Sequence, residues 1–335
     1  VTVTAPSVAL TIGDPSGIGP EIAVKAAAVL AGVWPVPPIL VGDGEVIRLH
    51  AERYAPQMPL RELGALGRAD AHAVAYVDVA SPDGVRFVPG TVSAAAGAAT
   101  VAYVEAALGL VRRGTASAIV ACPHSETAVN AAGIPFSGYP SLLARLLGVA
   151  PDRVFLMLAG GGLRIVHATL HERLRDALDR LSPDLVEAAA LTAAETLAAL
   201  GVVRPRIGLF AINPHAGEGG LFGDDDDRIT APAAKRLRAA GIDIEGPLGA
   251  DVLLARRGCD AYIAMYHDQG HVPVKLLAPR EAVALSIGAG VVFASVGHGS
   301  AFDIAGRGVA DPSAALRALE LVAPPHINTE RSHAR

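Results

Sequence analysis

With 335 residues and 34.1 kDa the chain can bury a substantial core, and its length favours two domains over one. Apolar residues make up 51% and charged residues 18%, which excludes a disordered chain. The formal net charge of −5, 4% aromatic content and lack of any basic stripe argue against nucleic acid as a partner.

Mean hydropathy is high at +0.40, yet no run reaches the roughly 18 uninterrupted apolar residues of a membrane span. No membrane partner is therefore expected, and the surplus apolar surface points to a subunit interface. Residues 1–7 carry neither a charged leader region nor a long apolar one and run straight into a strand, which points to a cytoplasmic protein. Cys122 and Cys259 lie far apart, outside any C-x-x-C pair, and suit a reducing compartment.

In chain order, a strand at 8–12 precedes a helix from about residue 20, and a strand at 38–41 precedes one from about 44. An Ala-rich helix fits 93–113, with Gly114 as its stop and a further strand at 118–121. Strands at 154–158 and 163–166 flank Gly160, Gly161 and Gly162, which read as a hairpin turn. Helices follow at 173–181 and 183–200, and apolar runs at 207–212 and 261–265 supply two more strands. Strand-then-helix alternation predicts an α/β fold with largely parallel sheets. The tail from Pro324 is polar and reads as frayed.

Three histidines stand out. His171 in TLHERLRD, His215 in NPHAGE and His267 in MYHDQG each follow one of these apolar runs. Ligands of α/β folds bind beyond the carboxyl ends of strands, so three imidazoles delivered there could close on one divalent cation and leave positions open. His271, four residues after His267, is a reserve donor. Lys275, one of only three lysines, fits an acid/base or a carboxylate-binding cation. The acidic run 224–227 reads as a solvated loop.

The segment GDPSGIGPE at 13–21 opens a helix whose free amides could receive an anion, although its own carboxylate would oppose one; a plain tight turn is the other reading. No G-x-G-x-x-G occurs. Close backbone approach to a nicotinamide cofactor is left to GPLGAD at 246–251 and GHGSAFDIAG at 297–306. Within these, Gly246, Gly249, Gly297, Gly299 and Asp303 are the cofactor-binding candidates.

GDPSGIGPE, NPHAGE, GPLGAD, HDQG at 267–270 and HGSAFDIAG at 298–306 together resemble the 4-hydroxythreonine-4-phosphate dehydrogenase family, from about residue 8 to 321. That resemblance implies a two-domain fold like that of isocitrate and isopropylmalate dehydrogenases, with the active site in a cleft between domains. It implies a homodimer with a shared site, NAD, and a divalent metal on His171, His215 and His267. Zinc is the first choice, with manganese, cobalt, iron or magnesium as alternatives. The expected domains are 1–128 plus 282–335, and 129–281 with the metal histidines and dimer contacts.

The chain departs from the family's vitamin-pathway enzyme where a phosphorylated substrate is handled. Gly138, Tyr139, Pro140 and Ser141 replace Gly-His-Thr-Glu. Ala284 replaces an asparagine, Phe293 an arginine and Glu126 a lysine. A phosphate dianion loses its cation and hydrogen-bond donors. The replacements instead resemble the family's terephthalate cis-dihydrodiol dehydrogenases, which implies an NAD-linked oxidative decarboxylation of a cyclic dicarboxylate diol. Lys275, Asp251 and Asp268 are the catalytic candidates, the two aspartates as acceptors behind the metal histidines. His124, Tyr139, Ser141 and Lys275 are the substrate-pocket candidates. A phosphorylated hydroxy-acid dehydrogenase is the first alternative and a non-redox metal hydrolase the second.

Overall fold

A computed structural model describes residues 7–64, 69, 72–82, 84–279 and 281–323. The polar tail expected from Pro324 lies outside these. The chain divides into two compact units, Val1–Phe136 with Val291–Arg335, and Ser137–Gly290. The crossings expected at 128 and 281 fall 8 and 9 residues before the observed ones.

The first unit begins with β1 (Ser7–Thr11), α1 (Gly19–Ala31), β2 (Ile39–Gly42), α2 (Gly44–Tyr54), β3 (Leu60–Glu62) and β4 (Val74–Asp78). It continues through α3 (Ala94–Arg112), β5 (Ala116–Ala121) and α4 (Glu126–Ala131). Every residue of β1 and β2 is buried, as parallel strands covered on both faces must be. Ser93 caps α3 by accepting from the Ala96 N–H, and Gly114 ends it at φ +70°, where a side chain would be strained. By length and composition α3 could cross a bilayer, but here it packs on β1, β2, β5 and α4. A Cβ on Gly97 would stand about 2.1 Å from the Ala128 carbonyl oxygen, so only glycine lets α3 lie so close to α4.

The second unit runs α5 (Tyr139–Leu147), β6 (Phe155–Gly160), β7 (Leu163–His167), α6 (Leu174–Arg180), α7 (Pro183–Ala199), β8 (Arg206–Phe210) and α8 (Ala231–Ala239). Then come β9 (Asp243–Leu248), α9 (Ala250–Arg256), β10 (Ala261–Ala264), α10 (His267–Leu277) and β11 (Val283–Ile287). The chain returns to the first unit for β12 (Val292–Val296) and α11 (Ser313–Val322).

The first unit's strands lie in the order β3-β4-β2-β1-β5-β12, all parallel. The second unit's order is β11-β6-β7-β10-β8-β9, parallel from β7 onwards with β6 antiparallel to both neighbours. Gly161 and Gly162, both at positive φ, turn the β6–β7 hairpin as the sequence indicates. The α/β fold with a mostly parallel sheet is thus the observed one. Phe210 and Tyr262 stack at 5.6 Å in the second unit's core, with Leu158, Leu163, Ile165, Leu253 and Val274 around them. Leu253 is the only buried side chain of α9, so its truncation would release that helix at a cost of about 2–5 kcal/mol.

Two segments differ from their sequence readings. Glu21 of the GDPSGIGPE segment is turned inward. Its carboxylate accepts from Lys25 Nζ at 2.7 Å and from the backbone N–H groups of Gly308 and Ala310, while Lys25 donates to the carbonyls of both. The pair is a clamp on segment 308–310. The acidic run is not wholly solvated either. Asp226 is buried and accepts from the Ile212 and Asn213 N–H groups and from Thr230 Oγ1. A carboxylate that can reach backbone donors in need of acceptors is drawn inward, which an average over charge cannot reveal.

Candidate metal and substrate site

Because β7, β10 and β8 are parallel neighbours, the loops carrying His171, His267 and His215 leave the same edge of the second unit's strands. Two of those loops are tied together. The Ala168 N–H donates to the Ala264 carbonyl at 2.8 Å and Thr169 Oγ1 to the Met265 carbonyl at 2.7 Å. Gln269 fixes the first turn of α10, accepting from the Met265 N–H and donating to the Ala211 carbonyl. His171 and His267 consequently face each other with ring centroids 5.5 Å apart.

Hydrogen bonding sets the tautomers. His171 Nδ1 lies 3.0 Å from the Ser137 carbonyl, which can only accept, so Nδ1 carries the proton and Nε2 keeps its lone pair. His267 Nδ1 lies 2.7 Å from Asp268 Oδ1 and His215 Nδ1 lies 2.7 Å from Glu218 Oε2, with the same consequence. All three imidazoles thus carry the outer acceptor that typically orients a metal ligand. The donor chemistry fits a borderline divalent cation.

Of the three, His171 and His267 come together and His215 does not. His215 sits on segment 214–220, where His215, Ala216 and Glu218 take φ of 54°, 56° and 44° among glycines that also turn left-handed. Each non-glycine residue there costs about 1–2 kcal/mol. The turn closes on itself through Glu218, and Phe222 meets the His215 ring edge-on at 5.9 Å. His215 is 74% exposed and does not join the other two. Among the described residues no set of three His, Cys, Asp or Glu side chains is placed to hold a metal.

Two further imidazoles stand behind His267. His271 stacks on it at 3.7 Å, and buried His167 lies 2.9 Å from His271, Nε2 to Nδ1. Burial, reinforced by the neighbouring imidazoles, pushes His167 down to about 3 and His271 to about 4, so both are neutral at pH 7. Lys275 is the third member of the 267, 271, 275 stripe on α10, half-buried, and burial lowers its pKa. In the sequence His167 is one of several lone histidines, and sequence reasoning misses its part in the site. Its position at the strand end, four residues before His171, is the one signal that marks it.

His171 lines two cavities of this unit. One, of about 320 Å³, also has Tyr266, His267, Asp268 and Glu172 on its walls. The other, of about 210 Å³, includes Ser137, Ser141, His167 and Arg180. Ser141 Oγ donates to the Gly138 carbonyl at 2.8 Å and buried Tyr139 opens α5, so both lie near His171 through Ser137 and Gly138. Arg180 is a cation that sequence reasoning misses. Glu172 and Asp152 already engage it at 2.6 and 2.9 Å, so it brings little free positive charge.

The remaining candidates stand elsewhere. Asp268 is in contact with His267, but Asp251 is exposed on the first turn of α9 and meets no imidazole among the described residues. Gly246 and Gly249 bracket the turn into α9, where a Cβ on Gly246 would meet the Leu209 carbonyl oxygen at 2.5 Å. Gly297, Gly299 and Asp303 belong to the first unit, with Gly299 and Asp303 exposed and open space beside Gly299. His124 is in the first unit as well, half-buried and edge-on to Phe136 at 4.9 Å, and burial lowers it to about 4. Phe293 is fully buried in β12 and Ala284 packs against the second unit's core, so both replacements are absorbed by packing. Cys122 is buried and Cys259 half-buried, and both are free thiols.

Comparison with known proteins places this geometry in a family. The family described as "Pyridoxal phosphate biosynthetic protein PdxA" matches residues 35–322. The chain is 48% identical over 323 residues to a 1,2-dihydroxy-3,5-cyclohexadiene-1,4-dicarboxylate dehydrogenase from Comamonas sp, covering 96% of this chain and 98% of that one. The crystal structure of a terephthalate 1,2-cis-dihydrodiol dehydrogenase from Burkholderia xenovorans LB400 is 54% identical and superposes with a TM-score of 0.73, over 95% of this chain and 97% of that one. A 4-hydroxythreonine-4-phosphate dehydrogenase from Klebsiella pneumoniae, 34% identical, superposes at 0.84 over 96% and 99%. With a family match across most of its length and a relative sharing nearly half its residues from end to end, the chain belongs to the PdxA family and is a dehydrogenase.

Proposed function

We propose that this protein catalyses the metal-dependent, NAD-linked oxidative decarboxylation of 1,2-dihydroxy-3,5-cyclohexadiene-1,4-dicarboxylate, giving protocatechuate, CO2 and NADH. The observation that carries the reading is end-to-end similarity to a dehydrogenase of that name, at 48% identity over 96% of the chain. The replaced phosphate-handling positions support it: Tyr139, Pro140 and Ser141 offer a phosphate dianion no cation.

The substrate's chemistry follows from its bonds. One ring carbon bears a hydroxyl and a carboxylate, and the next bears the second hydroxyl. Loss of hydride from that second carbon to NAD, and of the hydroxyl proton to a base, leaves a ketone β to the carboxylate. The C–C bond to that carboxylate then breaks. CO2 leaves, the bonding pair forms a new ring double bond as the ketone oxygen takes up the charge, and the ring is thereby aromatic; protonation of the resulting phenolate gives protocatechuate. A divalent cation, when bound, stabilises the negative charge that builds on that oxygen.

His171 and His267 would hold the cation through Nε2, with the Ser137 carbonyl and Asp268 fixing their rings. His215 would complete the set, supplied across a homodimer contact, since its own chain keeps it apart. Lys275 would take the hydroxyl proton and return one later, its pKa lowered by burial towards a useful range. Tyr139, Ser141 and His124 would shape the pocket for the distal carboxylate. Gly246, Gly249, Gly297, Gly299 and Asp303 would approach NAD.

A phosphorylated hydroxy-acid substrate is the second reading, favoured by the Klebsiella structure's 0.84 superposition. Both substrates are β-hydroxy acids, so the same bond changes serve either. NADH formation with each substrate, before and after chelation and metal re-addition, separates them. Chelator-sensitive turnover of the cyclic diol to protocatechuate supports the first reading. Turnover of only the phosphorylated hydroxy acid would replace it, and no NADH from either would sink both.

A further inference from the structure

A ring held by one in-plane hydrogen bond can still rotate about the axis of that bond. His267 is in this position: its Nδ1 meets Asp268, whose side chain is 77% exposed and open to competition from water. What removes the remaining freedom is a flat face. The His271 ring lies on His267 at a centroid distance of 3.7 Å, with the planes 13° from parallel.

His271 is itself pinned. His167 Nδ1 lies 3.2 Å from the Leu156 carbonyl, so this nitrogen is the donor and His167 Nε2 an acceptor. His271 Nδ1 therefore donates to it at 2.9 Å, and the imidazole chain runs from the β6 backbone to the face of His267 in a fixed order. Gly270 makes room for the arrangement. A Cβ there would come within 2.4 Å of His167 Nε2, and any larger residue would push α10 off the strand end.

We propose that His271, anchored through His167 to the Leu156 carbonyl, is a positioning residue that holds the His267 imidazole plane for the divalent cation. This rests on the reading that His171 and His267 bind the cation. His271 acts through its face; its ring nitrogens are not ligands. The arrangement matters because an imidazole must aim its lone pair at the cation, and loss of such outer support typically weakens metal binding about 10- to 100-fold.

The test is Co2+ binding to the metal-stripped, full-length protein, followed by titration calorimetry and by the visible absorption of the bound ion. His271→Ala weakens Co2+ by about 10- to 100-fold and shifts the absorption; because it leaves the buried Nε2 of His167 without its donor, binding is compared at a temperature where the metal-free variant is fully folded. His271→Phe keeps a flat face but loses the hydrogen bond to His167, and recovers part of the affinity lost in His271→Ala. Unchanged Co2+ affinity in His271→Ala overturns the proposal. So does a His271→Phe variant as weak as His271→Ala, which would make the nitrogen itself the working part. His267→Ala and His171→Ala are the controls on the parent reading: if they too bind Co2+ like wild type, it is the metal assignment that has failed.

Discussion

The buried carboxylate of Asp226 holds the backbone N–H of Asn213 at 2.9 Å, two residues before His215. Its other oxygen accepts from the Ile212 N–H at 2.9 Å and from Thr230 Oγ1. The strained turn at 214–220 therefore starts from a rigid foot. Asp226→Ala orphans two partly buried backbone donors and is expected to cost about 1–3 kcal/mol. Urea denaturation measures this directly. The same variant should lose turnover beyond what its folded fraction explains, because the His215 turn has lost its anchor. A variant of full stability would show that water replaces the carboxylate.

Much of this is legible in the sequence, for reasons that can be named. The strands and their helices carry period and cap signals: Ser93 before the Ala-rich helix, Gly114 after it, and the Gly161–Gly162 turn between two apolar runs all act locally. His171 and His267 stand out because each follows a buried strand, and parallel neighbours bring such loops to one edge. Other features depend on partners distant in the chain. Glu21 closes on Ala310 and His167 on His271, and nothing near either residue announces the partner. His215 follows a strand, as its sequence indicates, but local sequence does not say which way a turn of five left-handed residues will face.

Asp14 makes stability depend on pH. It is fully buried in the first unit, with Oδ1 accepting from the Ser16 N–H and Oδ2 buried without a hydrogen bond. Burial raises its pKa from 3.8 to about 6, against the lowering effect of its backbone hydrogen bonds. In this window the folded chain holds a proton that the unfolded chain has released. Stability therefore falls as pH rises from about 4 to about 6, by roughly 3 kcal/mol in all. Asp14→Asn keeps Oδ1 as an acceptor and removes the charge. Its denaturation midpoint should gain on wild type above pH 6 and lose that gain below pH 4. Parallel curves for the two proteins across this range would refute the assignment.

Removing the metal donors should separate function from fold. His171 and His215 are exposed and His267 is about one-third exposed, so truncation costs little packing. His171→Ala, His215→Ala and His267→Ala should each lower turnover by on the order of a thousand-fold, with thermal midpoints close to wild type. His215→Ala is the most informative of the three. If His215 serves a partner's site, mixing it with His267→Ala protein should regain activity in mixed dimers. Wild-type turnover in His215→Ala would remove it from the site.

Lys275 offers a direct test of the acid/base assignment. It shares one face of α10 with His267 and His271, and burial lowers its pKa below that of a free lysine. A lysine serving as base must be neutral, so kcat should rise with pH through the folded pKa and level off above it. Lys275→Ala should lower kcat by about 10²- to 10⁴-fold. Lys275→Arg keeps a cation but cannot release its proton at these pH values. If proton transfer is the role, Arg fails as badly as Ala and the alkaline rise disappears in both. If instead the cation grips a substrate carboxylate, Arg recovers much of the activity, and Ala shows its defect mainly in KM. The pH profile and the KM-against-kcat split together assign Lys275 to one task.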